Sequence, residues 1–372
     1  MIEKALVVGG GVGGMSAALS LAKRGAQVEL IDIDPDWRAY GAGISVTGMS
    51  LRAFDDLGIL DRVRTEGFVG SGIRLRAVDG TLIMESPPMA GTPDPVDCGG
   101  GIMRPVLHAI MQDKIRTTDI AVTLGVEVTR YEEDADGVEA HLSDGSSRRV
   151  DVVIAADGIS SSTRAKLFSD APKPLFTGQG CWRIVADRPA EIDRTEMYLG
   201  GPVKLGLNPV SDDKLYAFIL EHVPDNPWYA EDQLLPRVAE LLEPFGGVIP
   251  EIRANLGPQS QVNYRPLEWL ILPAPWHRGR VALIGDAVHA TTPHMASGAG
   301  LAVEDGLVLA EELAAADNVE AGLTAFAARR MERARMVVEN SVKVGEIEMT
   351  GGDQVQANEM LGGTMARLKE PY

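Results

Sequence analysis

Between Lys4 and Asp32 the spacing of apolar residues changes twice. KALVVG is a continuous apolar run closed by glycine, as in a strand buried on both faces. VGGMSAALSLAKRGA then spaces its apolar residues as a helix does and ends in Lys23-Arg24-Gly25, a basic last turn with a glycine stop. QVELID returns to a strand, so residues 4–34 predict one βαβ unit. Residues 50–66 predict a helix interrupted at Gly58, and IRLRAVDGTLIM (73–84) alternates around Asp79-Gly80 as a β-hairpin. The Pro- and Gly-rich stretch 87–101 predicts a loop.

PVLHAIMQDKI, after Arg104, predicts a helix, followed by strands around VTLGVEV and GVEAHLSDG and a buried strand in DVVIAADG. Residues 181–223 read as strands with a turn at NPVSDDK, 231–243 as a helix, and NYRPLEW leads back to GRVALIGDA. In a last long helix within 321–345, Ala327, Met331, Ala334, Val338 and Val342 share one face, which is expected to be core. Parallel strands are expected at 5–8, 28–32, 151–155 and 281–285, with antiparallel material between them. The fold class is therefore α/β. A Rossmann-like domain is built from 1–72, 99–176 and 265–372, and a mainly antiparallel β-sheet domain from 73–98 and 177–264 is inserted into it.

Composition narrows the function. At 372 residues and a net charge of −18 the chain can bury two joined cores, and its acidic surface argues against nucleic acid and stable membrane association. Cys98 and Cys181 have no metal or CxxC spacing, and two cysteines in so long a chain suit a reducing compartment. Met1-Ile2-Glu3-Lys4 leads straight into the first strand, and no apolar run is long enough to cross a bilayer, so a cytoplasmic protein is expected.

Three motifs carry chemistry. In GGGVGG, Gly9, Gly11 and Gly14 stand in GxGxxG register between a strand and a helix. Gly9 allows the turn, Gly11 lets a pyrophosphate approach the backbone, and Gly14 lets helix and strand pack closely. The following helix, through Val12 and Gly13, offers free N–H groups to an anion. Asp32, with Asp34 as rival, ends the second strand where a carboxylate can bind an adenosine ribose. NAD, NADP and FAD remain open at this point, although Asp32 argues against a 2′-phosphate. The second motif is DVVIAADGISSSTR, where Asp157-Gly158 ends a strand. The third is GRVALIGDAVHATTPHMASGAG, where Asp286 ends a strand and Gly298 and Gly300 open a helix. A carboxylate at that strand end can hold a polyol chain, and the helix N-terminus can face negative charge developing on a ring.

In this order and spacing the three motifs resemble the single-component FAD-dependent aromatic hydroxylases (class A flavoprotein monooxygenases) over nearly the whole chain. The resemblance implies that Gly9, Gly11, Val12, Gly13 and Gly14 hold the FAD pyrophosphate, Asp32 the adenosine ribose and Asp286 the ribityl chain. It places Arg104 on the flavin side of the cofactor, Val128 at the adenine through its backbone, and Asp157 in the Asp-Gly motif linked to both FAD and NAD(P)H. Pro293 and the Gly298-Ala299-Gly300 backbone would lie against the isoalloxazine, as would the 41–45 loop through Gly43. Leu301-Ala302 stands where the family often has Asn. The implied chemistry is hydroxylation of a small aromatic or N-heteroaromatic substrate by O2 through a flavin hydroperoxide, with NAD(P)H as a transient co-substrate. A same-fold oxidoreductase or epoxidase, a non-catalytic FAD sensor and an NAD-dependent dehydrogenase are the other readings. A homodimer is a possible assembly.

For the substrate, the candidates between flavin and central sheet are Trp182, Arg183, Tyr198, Tyr216, His222 and Tyr264. Arg183, in a mainly apolar strand, can clamp a carboxylate or a ring oxygen. His289 and His294 flank the flavin loop. A histidine there can relay a phenolic proton, and a backbone bond is the expected role of His289. No residue is assigned as the catalytic base, and His294 and Tyr216 are the candidates.

Overall fold

The computed structural model describes residues 2–39, 41–70, 72–86 and 99–372. Its larger core surrounds a six-stranded sheet in the order His277–Arg278, Val281–Leu283, Val152–Ala155, Lys4–Val8, Gln27–Asp32, Ala121–Leu124. All neighbours are parallel except the two-residue edge strand His277–Arg278. Four of these strands are those expected from apolar runs. The fifth parallel strand, Ala121–Leu124, overlaps the strand expected around VTLGVEV. Gly125, at φ +74°, breaks that run, so Ala121–Leu124 joins this sheet while Val128–Glu133 enters a separate three-stranded one. Helices Val12–Lys23 and Gly298–Ala315 cross closely because a Cβ at Gly306 would lie 2.4 Å from the Ala17 nitrogen. Ser16 Oγ donates to the Val303 carbonyl at 2.7 Å across the same contact.

The second layer is a seven-stranded sheet ordered Gln261–Trp269, Leu175–Asp187, Lys214–His222, Lys204–Pro209, Thr195–Leu199, Ile73–Ala77, Leu82–Glu85. It is antiparallel apart from the pair Thr195–Leu199 and Ile73–Ala77. The hairpin turns at Gly80 (φ +89°). Leu175–Asp187 and Gln261–Trp269 run across the expected joints at 176/177 and 264/265, so continuous strands rather than loops link the layers. One face of this sheet carries Trp182, Ile184, Leu205, Leu207, Leu215, Ala217 and Ile219 and packs on helices Glu231–Leu242 and Ile249–Ala254. The period of two turns Cys181, Arg183, Tyr216 and Phe218 to the other face.

A small sheet of Gly43–Val46, Gly100–Met103 and Phe68–Val69 lies at the joint between the layers. The helix expected within 321–345 extends over Val319–Thr350, capped by Asn318 at its start and by Gly351 (φ +63°) after its end. Among the described residues no helix is long and apolar enough to cross a membrane.

Candidate active site

The first glycine loop is fixed from every side. Gly9 N donates to the Ile31 carbonyl at 2.8 Å, and the Gly10 carbonyl accepts from Trp37 Nε1 at 3.0 Å with His108 Nε2 at the same distance. Gly9 has φ +103°, and a Cβ there would meet the Ala156 carbonyl oxygen at 2.4 Å. A Cβ at Gly14 would fall 1.8 Å from the Gly9 carbonyl oxygen, so strand and helix touch through backbone alone. At Gly13 the limit is the Ala302 Cβ, 3.2 Å away. A Cβ at Gly11, by contrast, would meet nothing within 4 Å. The open space lies at the start of helix Val12–Lys23, which has no side-chain cap and no acidic residue in its first turn. That cradle fits a pyrophosphate.

Asp32 stands at the loop's side, accepting from Gly10 N at 2.5 Å and from Asp34 N at 2.7 Å. Its rival Asp34 is engaged locally, with Oδ1 accepting from Asp36 N and Oδ2 from Arg38 N. Val128 is buried in the core below, two residues after Val126, whose amide donates to the Asp32 carbonyl at 3.1 Å.

Asp157 Oδ2 accepts from Thr163 N at 2.9 Å at the start of helix Ser162–Leu167, and its Oδ1 is buried without a partner. Arg164 ties this motif to the third one, donating to the Ile159 carbonyl at 2.7 Å and the Ala287 carbonyl at 2.9 Å. In the third motif Asp286 and Pro293 are exposed within an otherwise mostly buried stretch. Asp286 reaches solvent through a recess yet lies deep among protein atoms, and that burial raises its carboxyl above the usual carboxylate range. Helix Gly298–Ala315 also begins without a side-chain cap, because Ser297 Oγ turns back to the Met295 carbonyl at 2.6 Å. The first-turn amides at Gly298, Ala299 and Gly300 therefore remain available. Leu301, where an Asn was the family expectation, is fully buried in an apolar cluster with Met49, Met295 and Val337.

Arg104 and Arg183 share a recess with Tyr216 and Asp286. Burial holds the Arg104 guanidinium below its ordinary value, with the charge of Arg183 acting in the same direction. Arg183 lies beside Tyr216, whose hydroxyl burial pushes up to about 12. Asp286 is the carboxylate that acts on Arg104, so two buried guanidinium groups share this region with one acid, an arrangement that favours an anionic or electron-rich occupant. The 41–45 loop fits between them: a Cβ at Gly41 would lie 3.3 Å from Arg104 Cδ, and one at Gly43 2.5 Å from Tyr216 Cβ.

Trp182 faces away from Arg183 and Tyr216. It is fully buried on the far face of the sheet, donating to Glu221 at 2.8 Å and packed against Tyr229 and Tyr264, because it alternates with Arg183 along the strand. Tyr198 and Tyr264 belong to that same far-face cluster. His222 keeps the phase of Tyr216 but ends its strand, exposed beside Gly178. His289 does not bond backbone as expected. Its Nε2 lies 2.6 Å from Asp305 Oδ2, which also accepts from Gly285 N at 2.9 Å. Arg330, fully buried, binds Asp305 at 2.8 Å and Glu304 at 2.9 Å, and Arg333 grips Glu304 with two bonds of 2.9 Å. This ionic cluster holds the turn before Asp286. Asp305, Glu304 and Arg330 carry no motif signal in the sequence. His294 is buried with Nδ1 2.9 Å from Thr292 Oγ1 and Nε2 3.5 Å from Glu348.

A family model described as FAD binding domain matches residues 3–190 and 269–341. YetM of Bacillus subtilis (strain 168) is 32% identical over 99% of both chains. An FAD-dependent urate hydroxylase of Klebsiella oxytoca is 32% identical over 90% of this chain and 88% of its own. The structure of Klebsiella pneumoniae HpxO complexed with FAD and uric acid superposes with a TM-score of 0.83 at 27% identity, covering 99% of this chain and 93% of that one. The chain thus belongs to the FAD binding domain family, among the class A FAD-dependent aromatic hydroxylases.

Proposed function

We propose that the protein is an NAD(P)H- and O2-dependent monooxygenase that hydroxylates a small aromatic or N-heteroaromatic compound. The observation that carries this reading is the grouping of Arg104 with Arg183, Tyr216 and Asp286. When bound and reduced, FAD supplies oxygen activation. The chain's own residues do the rest. Gly9, Gly11, Val12, Gly13 and Gly14 hold the pyrophosphate, Asp32 the adenosine ribose, Asp286 the ribityl chain, and Val128 lies on the adenine side. Arg104, Gly43, Pro293, Gly298, Ala299 and Gly300 surround the ring, and Asp157 serves FAD and the nicotinamide nucleotide. Arg183 and Tyr216 orient the substrate on the facing sheet, where burial strengthens each polar contact and excludes water. A heterocyclic substrate agrees with the urate hydroxylase relative.

The test is anaerobic flavin reduction by NADH and by NADPH, with and without phenols, aromatic acids and hydroxypyridines, followed by product analysis under labelled oxygen. One compound should accelerate reduction sharply and acquire an oxygen atom from the gas. Reduction indifferent to every aromatic, or product without labelled oxygen, makes the protein an oxidoreductase of another kind.

A further inference from the structure

The face of the seven-stranded sheet turned away from its helices carries one unbroken row of residues. Its register runs Arg183 opposite Phe218, Phe218 opposite Gly206, Gly206 opposite Met197, Met197 opposite Leu75 and Leu75 opposite Met84. Arg183 stands at one end, beside Tyr216, and Met84 lies on the edge strand Leu82–Glu85. Beyond Arg183 every side chain in the row is apolar. Glycine at 206 keeps the row level. A Cβ there would lie 2.3 Å from Phe218 Cζ and 2.9 Å from Met197 Sδ, so ring and thioether meet over bare backbone. Phe218, Met197 and Leu75 are half-buried, and Met84 is 48% exposed. From Phe218 to Leu75 the row crosses three gaps between strands, about 14 Å in all.

Polar contacts wall this row on both sides. On one side Asn208, opposite Tyr216 in register, donates to Ser45 Oγ at 2.9 Å and to the Gly100 carbonyl at 3.3 Å, which fixes the small sheet there. On the other side Lys204, opposite Leu220, binds Glu348 Oε1 of the long helix Val319–Thr350 at 2.6 Å. The Asn208 amide and the Lys204 ammonium are thus bound to other elements, and the lane between them presents carbon and sulfur.

We propose that this lane receives an apolar extension of the substrate, so that the compounds taken are ring compounds bearing an alkyl or comparably apolar tail. The proposal rests on the monooxygenase reading of the adjoining site and adds what selects its substrate. Continuity fixes the occupant. Phe218 is at once the register partner of Arg183 and the ring neighbour of Tyr216, with 5.9 Å between centroids. A ring held by Arg183 and Tyr216 therefore continues directly onto Phe218. Each methylene that follows exchanges water for apolar surface, and the two methionines let the floor adapt to tails of different shape.

The probes are phenol and the 4-alkylphenols from methyl to hexyl, and their Kd values for FAD-loaded protein are measured by equilibrium dialysis. Each added methylene should tighten binding about three- to fourfold. Met197→Asn and Leu75→Asn each place an amide on the floor and should flatten the series for the longer members, at parental FAD content and unfolding midpoint. Trp228→Ser removes an 84% exposed ring just before helix Glu231–Leu242 and should leave the slope unchanged. A slope lost in that variant is surface adhesion and overturns the proposal. So does equal affinity along the series, failure of every member to bind, or a slope that survives both asparagine variants. Flavin reduction by NADH and NADPH is followed on the same samples. A slope without any reduction removes the monooxygenase reading and leaves the lane, whereas reduction stimulated by phenols of equal affinity removes the lane alone.

Discussion

Gly11→Ala and Gly14→Ala should separate cofactor binding from stability. At Gly11 the backbone is extended (φ −74°, ψ −177°), which any residue adopts, and the added methyl meets no protein atom within 4 Å. Relative to glycine, alanine costs about 0.5–1 kcal/mol as a helix N-cap, and the stiffer unfolded chain offsets about 0.4–1 kcal/mol. Apoprotein stability should therefore stay within about 0.5 kcal/mol of the parent. The methyl instead occupies the approach to the free amides. Loss of one or two hydrogen bonds to a charged group, at about 1.5–3 kcal/mol each, should weaken FAD binding by about 2–4 kcal/mol, or roughly 30- to 1000-fold in Kd. At Gly14 the methyl would sit 1.8 Å from a backbone oxygen, so helix and strand must part, and the apoprotein should lose about 1–3 kcal/mol or more. The assays are apoprotein denaturant unfolding and FAD titration by quenching of flavin fluorescence. A Gly11→Ala protein that binds FAD as tightly as the parent refutes the pyrophosphate assignment, and a fully stable Gly14→Ala protein refutes the close contact.

Asp286→Ala should weaken FAD retention by about tenfold or more through the loss of a charge-assisted hydrogen bond, with dialysis followed by flavin quantitation as the check. Arg183→Ala should raise the substrate KM well beyond tenfold at unchanged FAD content, and unaltered kinetics would remove Arg183 from the site. Arg330→Ala leaves Asp305 and Glu304 uncompensated and should cost about 3–5 kcal/mol in chemical denaturation, whereas Arg330→Met, which keeps more of the packing, should cost less. The His289–Asp305 pair adds a pH dependence. Burial opposes the charge on His289 and Asp305 outweighs it, so the folded-state pKa is raised; the pair's contribution is complete below about pH 6.5 and fades as pH rises through the raised value. Unfolding midpoints measured from pH 5 to 9 should show that decline in the parent and lose it in His289→Gln.

The glycine loop was legible in the sequence because its packing is backbone packing, as at Gly9 and Gly14. Glycines that must be glycine, and carboxylates at strand ends, leave marks at fixed spacing. The strand around VTLGVEV was expected, but not that its first part, Ala121–Leu124, joins the parallel sheet, because no apolar boundary separates it from the next strand; the left-handed conformation at Gly125 divides them. Alternation distinguishes two faces of Leu175–Asp187 but not which one packs on helices, and the structure puts Trp182 on the helix-covered face and Arg183 on the other. Ion pairs such as Arg330 with Asp305 join residues 25 apart on different helices, and no local pattern records them.

The parallel sheet also has a history in time. Gly9–Gly14 leaves the ribosome well before its neighbour Val152–Ala155, and Val281–Leu283 with Asp286 comes later still. At about 5–20 residues per second the glycine loop waits on the order of tens of seconds for its counterpart. During that interval two-sided apolar strands lack their partners, and chaperone occupancy of the nascent chain should peak there. Any stabilisation that FAD gives the fold arrives only once most of the chain has been made.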